Sequence, residues 1–337
     1  MAQLPQPLLA SYWIPYVGIG DPPHQQIVVV PLTDILNYTL ADGTPQTKVV
    51  FLGAAEFSCS PGNFQPPYVS LPDGILQQLT LQPGQTQTAV QKLQAAGIKV
   101  LLSLIGNNKA ANERMGWEDI PYVQDGNRFA NMLAFAQWVK TNLIDKYGLD
   151  GIDIDDEFGA SETNYQAFVD TVGILRHFVP GLLSKALWDD DQQFQTAVSG
   201  DAPYSAKAKL SSLLDLGCTM TYGSPFDGQT GAISTYNQYG MTWDKLCVGV
   251  QAGPPETDWK TPIDETSQLA RWAVARQAGA LPVLGMMLYT FTSDIQQWDQ
   301  WPQNSPQYKF PNPGDHAWQK VIVEGMWGAG NWNVARK

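Results

Sequence analysis

Residues 147–159 read YGLDGIDIDDEFG. Ile152 and Ile154 alternate with Asp153, Asp155 and Glu157. This is the period-2 pattern of a β-strand, in which residues two apart share a face. The isoleucines serve one face and the three acids form a column on the other. Three carboxylates in one column repel unless they share protons or hydrogen bonds. Part of the column is therefore expected to be protonated, with its pKa values pushed apart. That suits a general acid at the end of the column. An EF-hand needs Gly at loop position 6 and Glu at position 12. Counting from Asp153, those places hold Phe158 and Asn164. A Mg²⁺ or Ca²⁺ site of another kind and a solvated acidic turn stand as alternatives, and the interleaved isoleucines speak against the turn.

Around this stretch the chain alternates strand-like and helix-like segments, which favours a parallel α/β arrangement. Leu8 to Trp13 reads as a first strand ending in an aromatic pair, Tyr12 and Trp13, with Trp13 a candidate for ligand contact. PYVGIGDPP follows as a loop, and Pro31 to Leu36 as a short helix or turn. Lys48 to Phe57 is a second strand, and the Pro-, Gly- and Gln-rich stretch Ser58 to Gln85 a long loop. Thr86 to Ala96 predicts a helix stopped by Gly97. Lys99 to Gly106 is apolar, as a buried parallel strand should be, and runs into Asn107. Phe129, Leu133, Ala136, Val139 and Leu143 recur at helical spacing within Arg128–Tyr147. After the acid strand come a helix at Asn164–Phe178, strands at Leu182–Trp188, Leu214–Tyr222, Lys245–Gln251 and Val283–Phe291, and helices at Ala206–Leu214, Thr266–Ala278 and His316–Glu324. Gly279 and Gly325 are the expected stops of the last two. The acid run Asp189–Asp191 reads as a solvated loop. Eight strands with intervening helices are the count of a (β/α)₈ TIM barrel, here one α/β domain over residues 1–337, a count that leans partly on the family resemblance given below.

A chain of 337 residues with 44% apolar content buries a large core. Its net charge of −12 leaves no electrostatic footprint for nucleic acid and is repelled by anionic membranes. Cys59, Cys218 and Cys247 lack metal-site spacing, and the last two read as buried thiols. His24, His177 and His316 stand in unrelated contexts, which makes a His-dependent triad a poor fit. The N-terminal MAQLPQPLLASYW has neither a basic region nor a long apolar run, so it is not read as a signal peptide. A mature secreted form and a cytoplasmic protein both fit, and a monomer is expected.

DGIDIDDE at 150–157 resembles the DGxDxDxE signature of glycoside hydrolase family 18, the chitinases and endo-β-N-acetylglucosaminidases. Asp156, Gly106-Asn107 and Gly223 lean toward the endo-β-N-acetylglucosaminidases. So does the absence of a Trp in the eighth strand, where Tyr289 or Phe291 would supply the floor of the sugar subsite. The resemblance implies a retaining hydrolase that needs no metal or cofactor. Glu157 would be the acid and Asp155 would orient the 2-acetamido group. Asp153 would share its proton, and Tyr222, in the family's M-x-Y pattern with Met220, would donate to the acetamide oxygen. Three acids from one strand leave none facing Glu157 across the substrate, and the family's use of the substrate's own acetamide as nucleophile resolves this. Gln251, Met220, Tyr289, Asn107 and Trp13 complete the expected substrate contacts. The implied partner is an N-glycan or another GlcNAc-containing oligosaccharide. A chitinase, a silent glycan-binding relative and an unrelated metal-dependent barrel hydrolase are the alternatives.

Overall fold

The computed structural model describes residues 4–19, 26–107, 109, 113–123, 127–157, 164–188, 190–252, 260–275, 282–294 and 316–334. Eight parallel strands close into a barrel: β1 (Leu8–Trp13), β2 (Val49–Phe57), β3 (Lys99–Ile105), β4 (Gly151–Asp155), β5 (Leu182–Leu187), β6 (Leu216–Thr219), β7 (Leu246–Gln251) and β8 (Gly285–Tyr289). Each pairs with its chain neighbour, and β8 and β2 both pair with β1, so no parallel edge is left open. The (β/α)₈ architecture expected from the alternating pattern is the one observed.

The helices are α1 (Asp73–Leu79), α2 (Ala89–Ala95), α3 (Ala130–Val139), α4 (Tyr165–Phe178), α5 (Asp191–Gln195), α6 (Leu210–Leu213), α7 (Phe226–Gln238), α8 (Ile263–Val274), α9 (Phe291–Asp294) and α10 (Ala317–Trp327). Helix α2 starts on a complete capping box: the Thr88 hydroxyl accepts from Gln91 N at 3.1 Å, and Gln91 Oε1 accepts from Thr88 N at 2.9 Å. Such a cap stabilises a helix by about 1 kcal/mol.

The strands divide the core into two layers because successive side chains alternate. Leu8, Ala10, Tyr12, Val49, Phe51, Leu101, Leu216, Cys218, Cys247 and Met287 fill the barrel interior. Leu9, Trp13, Val50, Leu52, Leu102, Leu104, Ile152 and Ile154 pack outward under the helices. All three cysteines are free and buried. Among the described residues no helix is long and apolar enough to cross a membrane.

Several local expectations change. The stretch after β1 is not only loop: Tyr16–Ile19 pairs antiparallel with Gln26–Val29. The long Ser58–Gln85 segment carries a short strand, Val69–Ser70, and helix α1. Helix α6 occupies only part of the 206–214 stretch. Gly325 lies inside α10, which runs on to Gly328 at φ +94°, a conformation that favours glycine. Gly279 lies outside the described residues.

Candidate active site

Strand β4 is short and wholly buried. Asp153 and Asp155 face the barrel interior, as the alternation predicts, and Glu157 stands just past the strand end at the mouth, half-buried. Asp153 accepts hydrogen bonds from the Tyr12 hydroxyl at 2.5 Å and the Ser184 hydroxyl at 2.6 Å. Burial nonetheless pushes its pKa up against those two bonds. Asp155, one pleat nearer the mouth, is held well above the carboxylate range by burial first and then by the charges of Glu157 and Asp153. Burial also raises Glu157. At Asp155 the charges of Glu157 and Asp153 add to burial, so its ionisation is linked to theirs.

Glu157 owes its place to Gly106. A Cβ at position 106 would lie 2.0 Å from the carbonyl oxygen of Glu157 and 3.1 Å from that of Met115. Only a residue without a side chain lets the end of β3 approach the chain leaving β4 so closely.

Three tyrosines line the mouth beside the column. The rings of Tyr222 and Tyr289 lie 5.7 Å apart and nearly parallel at 19°, and Tyr12 meets Tyr289 edge-on at 5.5 Å. Tyr222 is seated by the bond from the Thr261 hydroxyl to its carbonyl at 3.0 Å. A Cβ at Gly249 would lie 1.7 Å from the carbonyl oxygen of Thr219 and 3.0 Å from the Tyr222 ring, so the glycine lets β6 and this ring approach β7. The Tyr222 hydroxyl and Asp155 Oδ1 are both buried without a partner in the protein. Burial, then Tyr289 and Asp155, hold the Tyr222 phenol well above its ordinary pKa, so it is a donor at any working pH. Burial with the charges of Asp155 and Glu157 raises Tyr289 to about 12.

The other expected contacts divide. Tyr289 is at the mouth, whereas Phe291 is fully buried in the outer layer against Tyr38, so of the two floor candidates Tyr289 is the one present. Met220 is half-buried against the interior cluster. Gln251 ends β7 in register with Tyr289. Asn107 and Trp13 are corrected. Asn107 is fully buried, and its amide is used up within the protein: Nδ2 donates to the carbonyls of Phe57 and Cys59, and Oδ1 accepts from Met115 N. It clamps the ends of β2 and β3 together. Trp13 points outward, fully buried, with its indole N–H on the carbonyl of Val30 at 3.1 Å. Strand parity allows only one of the Tyr12–Trp13 pair to face inward, and it is Tyr12.

Glu56 was not anticipated. Leu52 pairs with Leu102 and Ala55 with Leu104, so Gly53 and Ala54 together oppose Ser103, a β-bulge. The extra residue reverses the parity: Val50 and Leu52 face outward before it, Ala55 and Phe57 after it. Glu56, exposed, is thereby turned to the mouth face, level with Ile105 and Asp155. Bulges re-aim side chains in this way beside active sites. Among the described residues no group of His, Cys, Asp or Glu side chains is arranged to hold a metal ion.

No family model matches the chain. An endo-β-N-acetylglucosaminidase from Flavobacterium sp. (strain SK1022) is 29% identical over 199 residues, 57% of this chain and 55% of that one. Endo-β-N-acetylglucosaminidase F1 from Elizabethkingia meningoseptica is 33% identical over 129 residues, 38% of this chain and 33% of that one. The chain thus matches about half, or less, of the length of these curated relatives. Among solved structures, a GH18 chitinase from Pseudoalteromonas aurantia superposes with a TM-score of 0.58 at 15% identity, covering 94% of this chain and 99% of that one. EndoBT-3987 from Bacteroides thetaiotamicron, solved with a Man9GlcNAc2Asn substrate, gives 0.56 at 16% identity, covering 98% and 68%. Over part of its length the chain is thus similar in sequence to two bacterial endo-β-N-acetylglucosaminidases, and it shares its (β/α)₈ fold with a GH18 chitinase and with EndoBT-3987.

Proposed function

We propose that the protein hydrolyses the GlcNAc-β-1,4-GlcNAc bond of the N-glycan core, with retention, using the substrate's own 2-acetamido group as nucleophile. The observation that carries this is the pair of unpartnered buried atoms, Asp155 Oδ1 and the Tyr222 hydroxyl, next to Glu157. One accepts and the other donates, which is what an amide requires of its surroundings. Buried polar atoms left without partners are costly, and an acetamide would satisfy both.

In the first step the acetamide oxygen attacks the anomeric carbon while Glu157 gives its proton to the departing sugar oxygen. Asp155 takes the acetamide N–H and balances the positive charge that develops on the ring formed. Asp153, fixed by Tyr12 and Ser184, holds the shared proton beneath it. Tyr222 donates to the acetamide oxygen and turns it toward the anomeric carbon. In the second step Glu157, now ionised, takes a proton from water, whose oxygen opens the ring from the face the leaving group vacated. Two inversions restore the starting configuration. Tyr289 supplies the aromatic floor. All proton transfers run through side chains of this chain.

Two substitutions test the geometry. Tyr222→Phe keeps the ring stack and removes the donor; kcat is expected to fall about a hundredfold, the low end for loss of one such donor, with KM little changed in steady-state kinetics. Gly106→Ala forces the Glu157 main chain aside, and displacements near 1 Å cost about a hundredfold. That variant is expected to lose kcat while keeping a wild-type far-ultraviolet circular dichroism spectrum.

A chitinase reading is favoured by the shared fold with the Pseudoalteromonas enzyme. Mass spectrometry after incubation with a high-mannose glycoprotein and, separately, with chitin oligosaccharides decides between them. Release of the glycan leaving one GlcNAc on Asn supports the endoglycosidase; cleavage of chitin oligomers alone overturns it.

A further inference from the structure

Behind the acid column, on the outer face of the barrel wall, lies a second group of charges that the mechanism does not use. Lys185 of β5 is in register with Ile154 of β4, so it points away from the barrel interior, into the layer beneath the helices. It is 1% exposed. Its ammonium lies 2.9 Å from Asp190 Oδ1 and 3.0 Å from the carbonyl of Ala186, and 5.4 Å from the centre of the Phe168 ring on α4. Asp190 belongs to the acid run expected to be a solvated loop; it is instead buried, and also accepts from Trp188 N and from the Tyr236 hydroxyl on α7.

The residue that joins this group to the active site is Asp156. It follows Ile154 on the same outward face, one residue before Glu157 in the chain. Gln193 of α5 donates to Asp156 Oδ2 at 2.5 Å and reaches Glu118 at 3.4 Å. Asp190 immediately precedes α5. The Lys185–Asp190 pair therefore fixes the start of the helix whose Gln193 clamps the neighbour of Glu157.

We propose that Lys185 is a positioning residue for the acid strand, acting through the barrel wall on Asp155 and Glu157 and, through Asp190 and Gln193, on the seat of Asp156. A buried ammonium is expensive unless paired, and one ion pair with Asp190 would be satisfied anywhere in the fold. Its place behind the strand that carries four acids is what assigns it the further role.

The charges facing this site come from every element around it. Asp156 and Glu157 follow the end of β4, with Asp153 and Asp155 on the strand's opposite, inward face; Glu118 and Asp119 belong to the 3-10 turn Trp117–Asp119, Asp190 and Asp191 to the start of α5, and Tyr236 to α7. Lys185 is the cation set among them. Its charge opposes the upward push of burial at Asp153, Asp155, Asp156 and Glu157. Burial wins at all four, and at two neighbours as well: Asp190 is pushed up to about 6 despite its ion pair, and Glu118 to about 7 with Asp156 adding to the rise. Without the ammonium, each of these carboxyls would hold its proton to higher pH.

This inference rests on the acid role given to Glu157 above. The test compares Asp190→Asn with the double variant Lys185→Met/Asp190→Asn, which differ only at position 185 and leave no carboxylate of the broken pair ionised. The Glu157 side-chain carboxyl is titrated by carbon-13 NMR, and the pH dependence of kcat/KM is measured on an N-glycan-bearing glycopeptide. In the double variant the Glu157 titration is expected to move up by about half to one pH unit, as for loss of a nearby opposite charge, and the pH–rate profile to move with it. An unmoved Glu157 titration in the double variant overturns the proposal, whatever happens to Tm, because loss of stability alone does not shift one carboxyl. If the wild-type protein cleaves no glycan, the proposed function falls, while the NMR titration still decides the role of Lys185.

Discussion

Glu157→Gln is expected to reduce turnover of an N-glycan substrate about a thousandfold or more while leaving glycan binding intact. The substitution preserves size and hydrogen bonding but removes the proton that the leaving oxygen must receive, and general acid catalysis is worth roughly 10²–10⁴ in rate. Because the same side chain serves as acid and then as base, both steps suffer. The pH dependence gives a second reading. Burial raises the pKa of Glu157, so in the wild-type protein the acid form persists to higher pH than in a free glutamate. The rate then falls as pH rises through that value. In Glu157→Gln the residual rate should lose this basic limb. Isothermal titration calorimetry with the substrate and single-turnover kinetics separate binding from chemistry. Near-normal hydrolysis in this variant would remove Glu157 from the mechanism.

Asp155→Asn has the next largest expected effect, with a loss of kcat on the order of a hundredfold or more, from removing an anion aimed at developing positive charge. It also carries an opposite signature in stability. The raised pKa of Asp155 means that the folded state favours the protonated form. Its contribution to stability is therefore fully present below the ordinary carboxylate pKa and is lost as pH rises through the folded value. Asparagine cannot ionise, so Asp155→Asn is expected to raise Tm at pH 7.5 and to leave it nearly unchanged at pH 3.5. A thermal melt at the two pH values checks this. A variant that lost activity and stability together at neutral pH would instead indicate plain misfolding. Loss of function with gain of stability is the usual mark of a site whose charges are held against their own electrostatics.

Much of this was legible in the chain itself. The period-2 alternation of Ile152 and Ile154 with the acids announced both a buried strand and the shared face of Asp153 and Asp155, because alternation is a local property of extended backbone. The apolar run of β3 marked a parallel strand buried on both sides, and Gly97 marked a helix end. The eight-strand count, and with it the barrel, leaned partly on the family resemblance, because the first, fifth and seventh strands carry weak local signals. Tertiary structure decided the rest. Which of Tyr12 and Trp13 faces the interior depends on how β1 sits against β2 and β8. Asn107 is spent on the carbonyls of Phe57 and Cys59, some fifty residues away, and no local pattern encodes that distance. The inward turn of Glu56 depends on two residues of β2 opposing one of β3, a matter of register between strands. Lys185 shows the limit most clearly. In sequence it is a charged residue interrupting an apolar strand, and the solvated reading of Asp189–Asp191 was its natural companion. Only the packing of α4, α5 and α7 over β5 takes both ions out of water, and desolvation, a property of the surroundings rather than of the residue, turns a surface charge into a buried one that acts on the active site.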